Sequence, residues 1–414
     1  MTARYRLFCA WILLVSLVAS FIGNVACAAG QALDRVLGLP HASLLVVESG
    51  APVIARGADR PMIPASTMKL LTALAAIDRW GLDHRFATRF YLSSDDWLWV
   101  EGSGDPYLVS EELDLIVAAL KRAGVRSVTG IGIDDALFDR NLRIPGRSRS
   151  ANPYDAPVSA FAVNFNTIHL QVTGAQVQSA ETQTPLTALG RELGARLGDG
   201  SHRINLQEPD RALRYAGELL AAKLAAEGIL VGAGQRVGPV PSGARSVATH
   251  HNSRDLRGVL VPMLEYSNNF IANQLFLLLG ADPRGGSLGM ARSQAAMTEW
   301  ARNRFGWRDF TIEDGAGLSR GNRLSAHQLA DVVTAFLPYV DLMPVQPGNS
   351  AVRAKTGTLT GVSTYAGVIR RENAWSSFVL LVNQPVDHGL RRQVADDLAR
   401  IETLERFCLA RRCD

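Results

Sequence analysis

Three short polar patterns in this 414-residue chain combine residue types able to do chemistry. Ser66-Thr67-Met68-Lys69 opens a run in which Leu70, Leu71, Leu74, Ala75 and Ile77 recur at helical spacing. Positions i and i+3 share a helix face, so the Ser66 hydroxyl and the Lys69 amine can approach each other. Serine is a weak nucleophile that needs an adjacent base. A lysine supplies one when desolvation or a neighbouring cation depresses its pKa. The start of a helix also leaves backbone N–H groups free to face a developing oxyanion. Taken alone, the pattern reads more simply as a capping serine and a solvated first-turn lysine.

The second pattern, Ser267-Asn268-Asn269, breaks an apolar helical stretch from Leu256 to Leu279. It is either an ordinary helix-to-helix cap or a hydroxyl and an amide presented into a cleft. The third, Lys355-Thr356-Gly357-Thr358, leads into a β-prone run. Gly357 at the start of a strand permits close backbone approach, and Lys355 with two threonines would bring a cation and hydroxyls to a carboxylate. A surface strand carrying a lysine is the plainer alternative.

In this order the three match the Ser-x-x-Lys, Ser-x-Asn and Lys-Thr-Gly set of penicillin-recognising serine enzymes. The chain resembles one branch of them, the D-alanyl-D-alanine carboxypeptidase/endopeptidase family of class C low-molecular-mass penicillin-binding proteins. Between Lys69 and Ser267 lie 197 residues, far more than a compact β-lactamase-like domain needs, whereas only 85 separate Asn269 from Lys355. Further similar tracts are Pro64-Ala65-Ser66-Thr67, Gly104-Asp105-Pro106, Ala156-Pro157-Val158-Ser159-Ala160 with Asn164 and Asn166, and Asp314-Gly315-Ala316-Gly317-Leu318-Ser319-Arg320. Two positions depart from the pattern. Asn268 stands where relatives often have Asp, and Ala316 where they usually have Ser.

The resemblance implies acyl transfer from a terminal D-Ala-D-Ala bond to water. Ser66 is then the nucleophile, Lys69 its base and Ser267 the relay to the leaving amine. Backbone N–H groups of Ser66 and Thr358 would form the oxyanion hole. Asn269 would hold the substrate amide and Thr356 and Thr358 the terminal carboxylate, with Lys355 close enough to bias the charge of Ser267 and Gly357 a further substrate-binding residue. Peptidoglycan stem peptides are the implied partners and β-lactams the implied covalent inhibitors, with no cofactor. A serine β-lactamase stays open as an alternative, although no Glu-x-x-Leu-Asn tract is present to activate its water. So does a penicillin-recognising sensor or wall-binding protein that never turns over.

The elements that must position these residues predict an α+β fold. Ser43–Glu48 and Pro52–Arg56 read as a hairpin, and helices are expected over residues 66–80, 110–123, 212–227, 256–279 with its break, 290–304 and 393–407. Strands are expected over residues 86–92, 97–101, 127–133, 165–172, 357–370 and 375–382, with residues 182–202 left as a weakly patterned interval. The fold implied by the resemblance is a serine β-lactamase/transpeptidase-like domain, helices on an antiparallel sheet. Residues 29–86 and 251–414 would build it around an insertion at 87–250 forming one or two smaller domains.

Composition fits this reading. Hydrophobic residues make up 47% and charged residues 20%, which excludes a disordered or coiled-coil chain. A charge of +4 from 43 basic and 39 acidic side chains gives no concentrated basic face, so no nucleic-acid partner is expected. Arg4 and Arg6, an apolar stretch from Leu7 to Gly23 and the small-x-small run Ala26-Cys27-Ala28 read as a signal peptide over residues 1–28. The mature protein is expected to be exported to the periplasm or another extracytoplasmic space, with no permanent membrane span. Cleavage removes Cys9 and Cys27, leaving Cys408 and Cys413 either to close a small loop or to stay free thiols. The eight His are scattered, so no metal is implied.

Overall fold

The computed structural model describes residues 30–281, 285–372 and 374–401. The segment read as a signal peptide and the Cys408/Cys413 pair lie outside the described residues. The chain divides into two compact units. One takes the described residues of Met1–Ile63 and Leu324–Asp414, the other Pro64–Arg323.

The first unit is built on a six-stranded antiparallel sheet. Its spatial order is Val345–Gln346, Asn349–Leu359, Val362–Arg370, Trp375–Val382, Ala42–Glu48, Ala51–Arg56. The expected hairpin is present, turning at Ser49 and Gly50 with φ of 49° and 81°. Such mirror-image turns match the right-handed twist of the strands they join. The central strands are apolar at both parities. Leu44, Val46, Phe378 and Leu380 pack with Leu33 and Val36 of the helix Gln31–Leu37 and with Val394 and Leu398 of the helix Leu390–Arg400. Leu45, Val368, Val379 and Leu381 are also buried, and the helix Ala326–Ala335 packs on these strands. Burial on both faces is why these strands read as continuous apolar runs.

One expected strand is corrected. Residues 357–370 are not a single strand: Asn349–Leu359 carries the whole Lys355–Thr358 pattern in its interior, and Gly361 (φ 71°) turns the chain back into Val362–Arg370. Gly357 therefore sits opposite Thr364 within a ladder, not at a strand start. The closing helix occupies Leu390–Arg400, starting three residues earlier than expected, and residues 402–407 of that expectation lie outside the described residues.

The second unit holds two sheets. The larger has the order Arg245–His251, Ala87–Leu92, Trp97–Glu101, Ser127–Asp134, Leu230–Val237. Its first two pairings are antiparallel, but Trp97–Glu101, Ser127–Asp134 and Leu230–Val237 run parallel. The antiparallel sheet was expected of the catalytic domain, and no strand direction was read for residues 87–250. Parallel neighbours need crossover connections, and the helices Ser110–Arg122 and Pro209–Ala226 supply them. One core joins Phe90, Val100, Ile116, Ile133, Leu170 and Leu220, all from residues 87–250. The smaller sheet orders Gln176–Ser179, Thr167–Thr173, Gly200–Asn205. The helix Ala188–Gly194, capped by Thr187 Oγ1, and the strand starting at Gly200 fill much of the interval that lacked a pattern. Thr167–Thr173 starts two residues later than expected, because Asn164, Phe165 and Asn166 all adopt left-handed backbone (φ 52°, 59° and 52°). Four further helices, Met68–Trp80, Leu256–Glu265, Asn269–Leu279 and Met290–Phe305, complete the unit.

A buried carboxylate ties the ends of the first unit together. Asp397 Oδ2 accepts from the backbone N–H groups of Ala32 (2.9 Å) and Leu33 (3.1 Å), orphan donors at a helix start. Asp397→Ala is expected to lower unfolding stability by about 1–2 kcal/mol, measured by denaturant titration. An unchanged midpoint would show that this tie contributes nothing.

Candidate active site

Ser66 lies in a short 3-10 turn, Ala65–Thr67, that feeds directly into the helix Met68–Trp80. Every residue from Met68 to Ile77 is buried, so the apolar stripe read from the sequence is only part of a helix enclosed on all sides. Lys69 is therefore fully buried. Its Nζ lies 3.0 Å from Ser66 Oγ, 2.7 Å from Asn269 Oδ1 and 2.8 Å from the Ala316 carbonyl oxygen. The last two are amide oxygens, which accept and never donate. Each directs one N–H of the lysine to itself. The remaining tetrahedral position points at Ser66, carrying a third hydrogen in the ammonium and the lone pair in the neutral amine. In the neutral state the Ser66 hydroxyl donates to that lone pair, the geometry a base needs.

Asn269 arrives by the break in the apolar stretch. The first helix ends at Glu265, Ser267 takes a left-handed φ of 55°, and the next helix starts at Asn269. Asn268 Oδ1 accepts from Ile271 N at 3.1 Å, the N-cap of that helix. The two readings of the pattern thus both hold: its middle residue caps while its last turns to the lysine. Asp and Asn cap alike, which accounts for the Asn268 departure. Asn269 Nδ2 donates to the Tyr154 carbonyl at 3.1 Å, fixing the amide so that its oxygen faces Lys69. Ser267 stands two residues from Asn269 in the same loop and is half-buried.

The backbone before the serine is strained. Ala65 has φ 46°, a costly value for a residue with a side chain. Gly317 (φ 78°) presses against it so closely that a Cβ there would lie 1.9 Å from the Ala65 carbonyl oxygen.

Lys355, Thr356, Gly357 and Thr358 belong to the first unit. Lys355 is buried, its Nζ donating to the Thr356 carbonyl at 2.9 Å, and burial followed by the nearby Arg391 charge pulls it down to about 7. Arg391 Nη1 donates to the Gly357 carbonyl at 2.6 Å and to Thr358 Oγ1 at 2.7 Å. Burial lowers the Arg391 pKa as well.

The structure thus gathers Ser66, Lys69 and Asn269, leaves Ser267 two residues before Asn269, and sets Lys355, Thr356, Gly357 and Thr358 on one strand. Sequence reasoning missed the Ala316 and Tyr154 carbonyls and Arg391. The first two contribute main-chain atoms, to which residue type is blind. The Ala316 departure from Ser is harmless to this contact for the same reason. The remaining tracts are scaffolding. Asp105, pushed up to about 6 by burial, accepts from Asn252 Nδ2 (2.8 Å) and Tyr107 N (2.8 Å). Asn164 bonds Ser110, and Asn166 bonds Pro157 and Ser159. No group of His, Cys, Asp and Glu able to hold a metal occurs among the described residues.

Known proteins resemble this chain over most of its length. The family described as D-Ala-D-Ala carboxypeptidase 3 (S13) matches residues 33–190 and 201–404. A D-alanyl-D-alanine carboxypeptidase of Actinomadura sp. (strain R39) is 26% identical over 427 residues, covering 84% of this chain and 79% of that protein. The crystal structure of penicillin binding protein 4 (dacB) from Haemophilus influenzae superposes with a TM-score of 0.73 at 19% identity, covering 90% of this chain and all of that one. The same protein complexed with a novel β-lactam gives a TM-score of 0.67 at 20% identity, over 89% of this chain and 98% of that one.

The Gly317 contact is testable against a glycine in open space. Gly243 has a similar φ of 84° with nothing within 4 Å of an added Cβ. Gly243→Ala is expected to cost about 1–2 kcal/mol of stability, and Gly317→Ala about 1–3 kcal/mol more from the forced shift of Ala65. Denaturant titration of both variants checks this; equal losses would show that the Ala65 contact yields freely.

Proposed function

Because this chain belongs to the D-Ala-D-Ala carboxypeptidase 3 (S13) family, it is a serine-type D-Ala-D-Ala carboxypeptidase, and we propose that Ser66 is its nucleophile and peptidoglycan stem peptides its substrate. The observation that carries the residue assignment is the Lys69 amine, 3.0 Å from Ser66 Oγ with two of its directions taken by amide oxygens.

Ser66 Oγ attacks the carbonyl carbon of the terminal D-Ala-D-Ala bond as its proton passes to the Lys69 lone pair. The carbonyl electrons move onto oxygen, facing the backbone N–H groups of Ser66 and Thr358. Collapse breaks the C–N bond, Ser267 relays a proton to the departing amine, and D-alanine leaves an ester on Ser66. Water then attacks the ester carbon, releasing the shortened peptide and returning a proton to Ser66 Oγ. Asn269 holds the substrate amide, while Lys355, Thr356, Gly357 and Thr358 take the terminal carboxylate. A single substrate has to meet both Ser66 and the Lys355 strand. The reading therefore includes a discontinuous catalytic domain, residues 29–86 and 251–414, with 87–250 inserted. Residues 87–250 holding a core of their own supports this.

Export is part of the proposal. Its support is the basic start, apolar run and Ala26-Cys27-Ala28 of residues 1–28, together with a substrate that lies outside the cytoplasm. Among the described residues no helix is long and apolar enough to cross a membrane. Digestion of crosslinked muropeptides, with products weighed by mass spectrometry, separates carboxypeptidase from additional endopeptidase action.

Benzylpenicillin should add one penicilloyl mass to the wild-type protein and none to Ser66→Ala. Its leaving group stays tethered and obstructs water, so the adduct is expected to persist for minutes, followed by intact-mass spectrometry. Hydrolysis at many turnovers per second without an adduct would favour the β-lactamase alternative.

A second expectation follows from Lys355 standing near 7. The ammonium that meets the carboxylate exists below that pH and is lost as pH rises through it. KM for a D-Ala-D-Ala peptide should therefore climb above pH 7, by up to about tenfold per unit. Lys355→Arg, whose guanidinium stays charged, should flatten that limb whatever its overall rate. A wild-type KM constant from pH 6 to 9 would remove Lys355 from carboxylate binding.

A further inference from the structure

The loop that supplies the Ala316 carbonyl is organised around one fully buried carboxylate, Asp314. Its Oδ2 accepts from the backbone N–H groups of Ala316 (3.1 Å) and Leu318 (3.0 Å). Its Oδ1 accepts from Ser319 N (3.1 Å) and from Asn322 Nδ2 (2.6 Å). Four donors on one carboxylate wrap residues 316–322 into a closed turn. Asn322, also fully buried, passes the constraint back by accepting from Glu313 N at 2.7 Å. The same loop grips two helices. Thr72 Oγ1 donates to the Gly315 carbonyl at 2.7 Å, and Gly315 N donates to Asn273 Oδ1 at 3.0 Å. Lys69 and Thr72 are i and i+3 on one helix, while Asn269 and Asn273 are i and i+4 on the other. Each pair therefore shares a face. The loop is thereby the spacer that fixes the Lys69 helix against the Asn269 helix.

We propose that Asp314 is a positioning residue for acylation: by holding the Ala316 N–H it aims the Ala316 carbonyl at Lys69 and so orients the lysine lone pair toward Ser66. This rests on the reading of Lys69 as the base. Asp314 touches no substrate. Its action passes through one residue, Ala316, whose N–H it holds and whose carbonyl meets the amine. A misplacement of about 1 Å in a catalytic group costs on the order of a hundredfold in rate.

Asparagine at position 314 keeps the shape but has one accepting oxygen and one donating nitrogen. One edge of the turn then meets N–H against N–H and opens. The Ala316 carbonyl and the Asp314 charge both favour the ammonium form of Lys69, so weakening either should let the amine deprotonate at lower pH. The other charged groups on elements against Lys69 are Glu313 and Arg320 of the loop, Asp155 beside Tyr154, Arg257 and Glu265 of the helix Leu256–Glu265, and Asp78 and Arg79 at the far end of the lysine's own helix. The helix Asn269–Leu279 carries none.

The experiment measures the rate of benzylpenicillin acylation against pH, with thermal stability, for the full chain. Asp314→Asn should acylate about 30–100-fold more slowly, with the acid limb of its profile displaced to lower pH. Should that variant fail to fold, Asn322→Ala removes one of the four donors and should lose about 3–10-fold with a smaller displacement in the same direction. Glu112→Gln is the control. Glu112 is an equally buried hub, accepting from His250 Nε2 (2.7 Å) and Ser253 N (3.0 Å), and its loss should lower stability without moving the limb. Folded Asp314→Asn or Asn322→Ala with a rate within twofold of wild type and an unmoved limb overturns the proposal. Lys69→Ala separates the two levels. If it acylates normally, the base assignment falls and this inference with it; if it is inactive while both loop variants are normal, only the inference falls.

Discussion

A lysine amine with no exposure to water must find acceptors inside the protein, and most of the second unit's arrangement around Ser66 follows from how Lys69 does so. Its acceptors come from a helix 200 residues away and a loop 247 residues away. The helix Asn269–Leu279 is almost wholly apolar, and its three polar side chains are each committed to a neighbour. Asn269 meets Lys69 and Tyr154, Asn273 meets Gly315, and Gln274 Nε2 donates to the Ser159 carbonyl at 2.7 Å. In a low-dielectric interior such bonds cannot be traded for water, so the helix has one rotation and one depth at which all three are made. Burial strengthens the geometric demand that the chemistry makes.

The first unit obeys a different constraint. A lysine inside a strand at near-zero exposure costs desolvation, and the protein lets its charge become weak near neutrality instead of pairing it. Arg391 lies beneath the same strand and bonds a carbonyl and a hydroxyl, not a carboxylate. Two cations in one region, neither neutralised through those bonds, leave an electrostatic need that an anionic group from outside would meet. That suits the carboxylate-ended peptides proposed as substrate.

Legibility in the sequence followed the range of the forces. The Ser66–Lys69 approach is an i, i+3 relation, the turn at Gly50 is local, and the cap at Asn268 is local. All three are set within a few residues and could be read there. The strand at Asn349–Leu359 was misplaced because Thr360-Gly361, the true turn, follows a tract whose glycine at 357 drew the boundary instead. The parallel pairing of Trp97–Glu101, Ser127–Asp134 and Leu230–Val237 went unread because strand direction follows from crossover helices, a tertiary property. Leu230–Val237 is also largely exposed and glycine-rich, and so lacks a strand's alternation. The Ala316 and Tyr154 carbonyls left no trace because every residue has one.

The wide sequence separation of the Lys69 contacts has a consequence for how the protein comes into being. A chain complete only as far as residue 260 contains the serine and the lysine but neither amide oxygen that orients the amine. Closing loops of 200 and 247 residues demands chain entropy that only a largely collapsed protein can offset. The reactivity proposed for Ser66 is therefore a property of the finished tertiary structure and absent from the nascent polypeptide. The proposed acylating centre is complete only after the segments that surround it have folded.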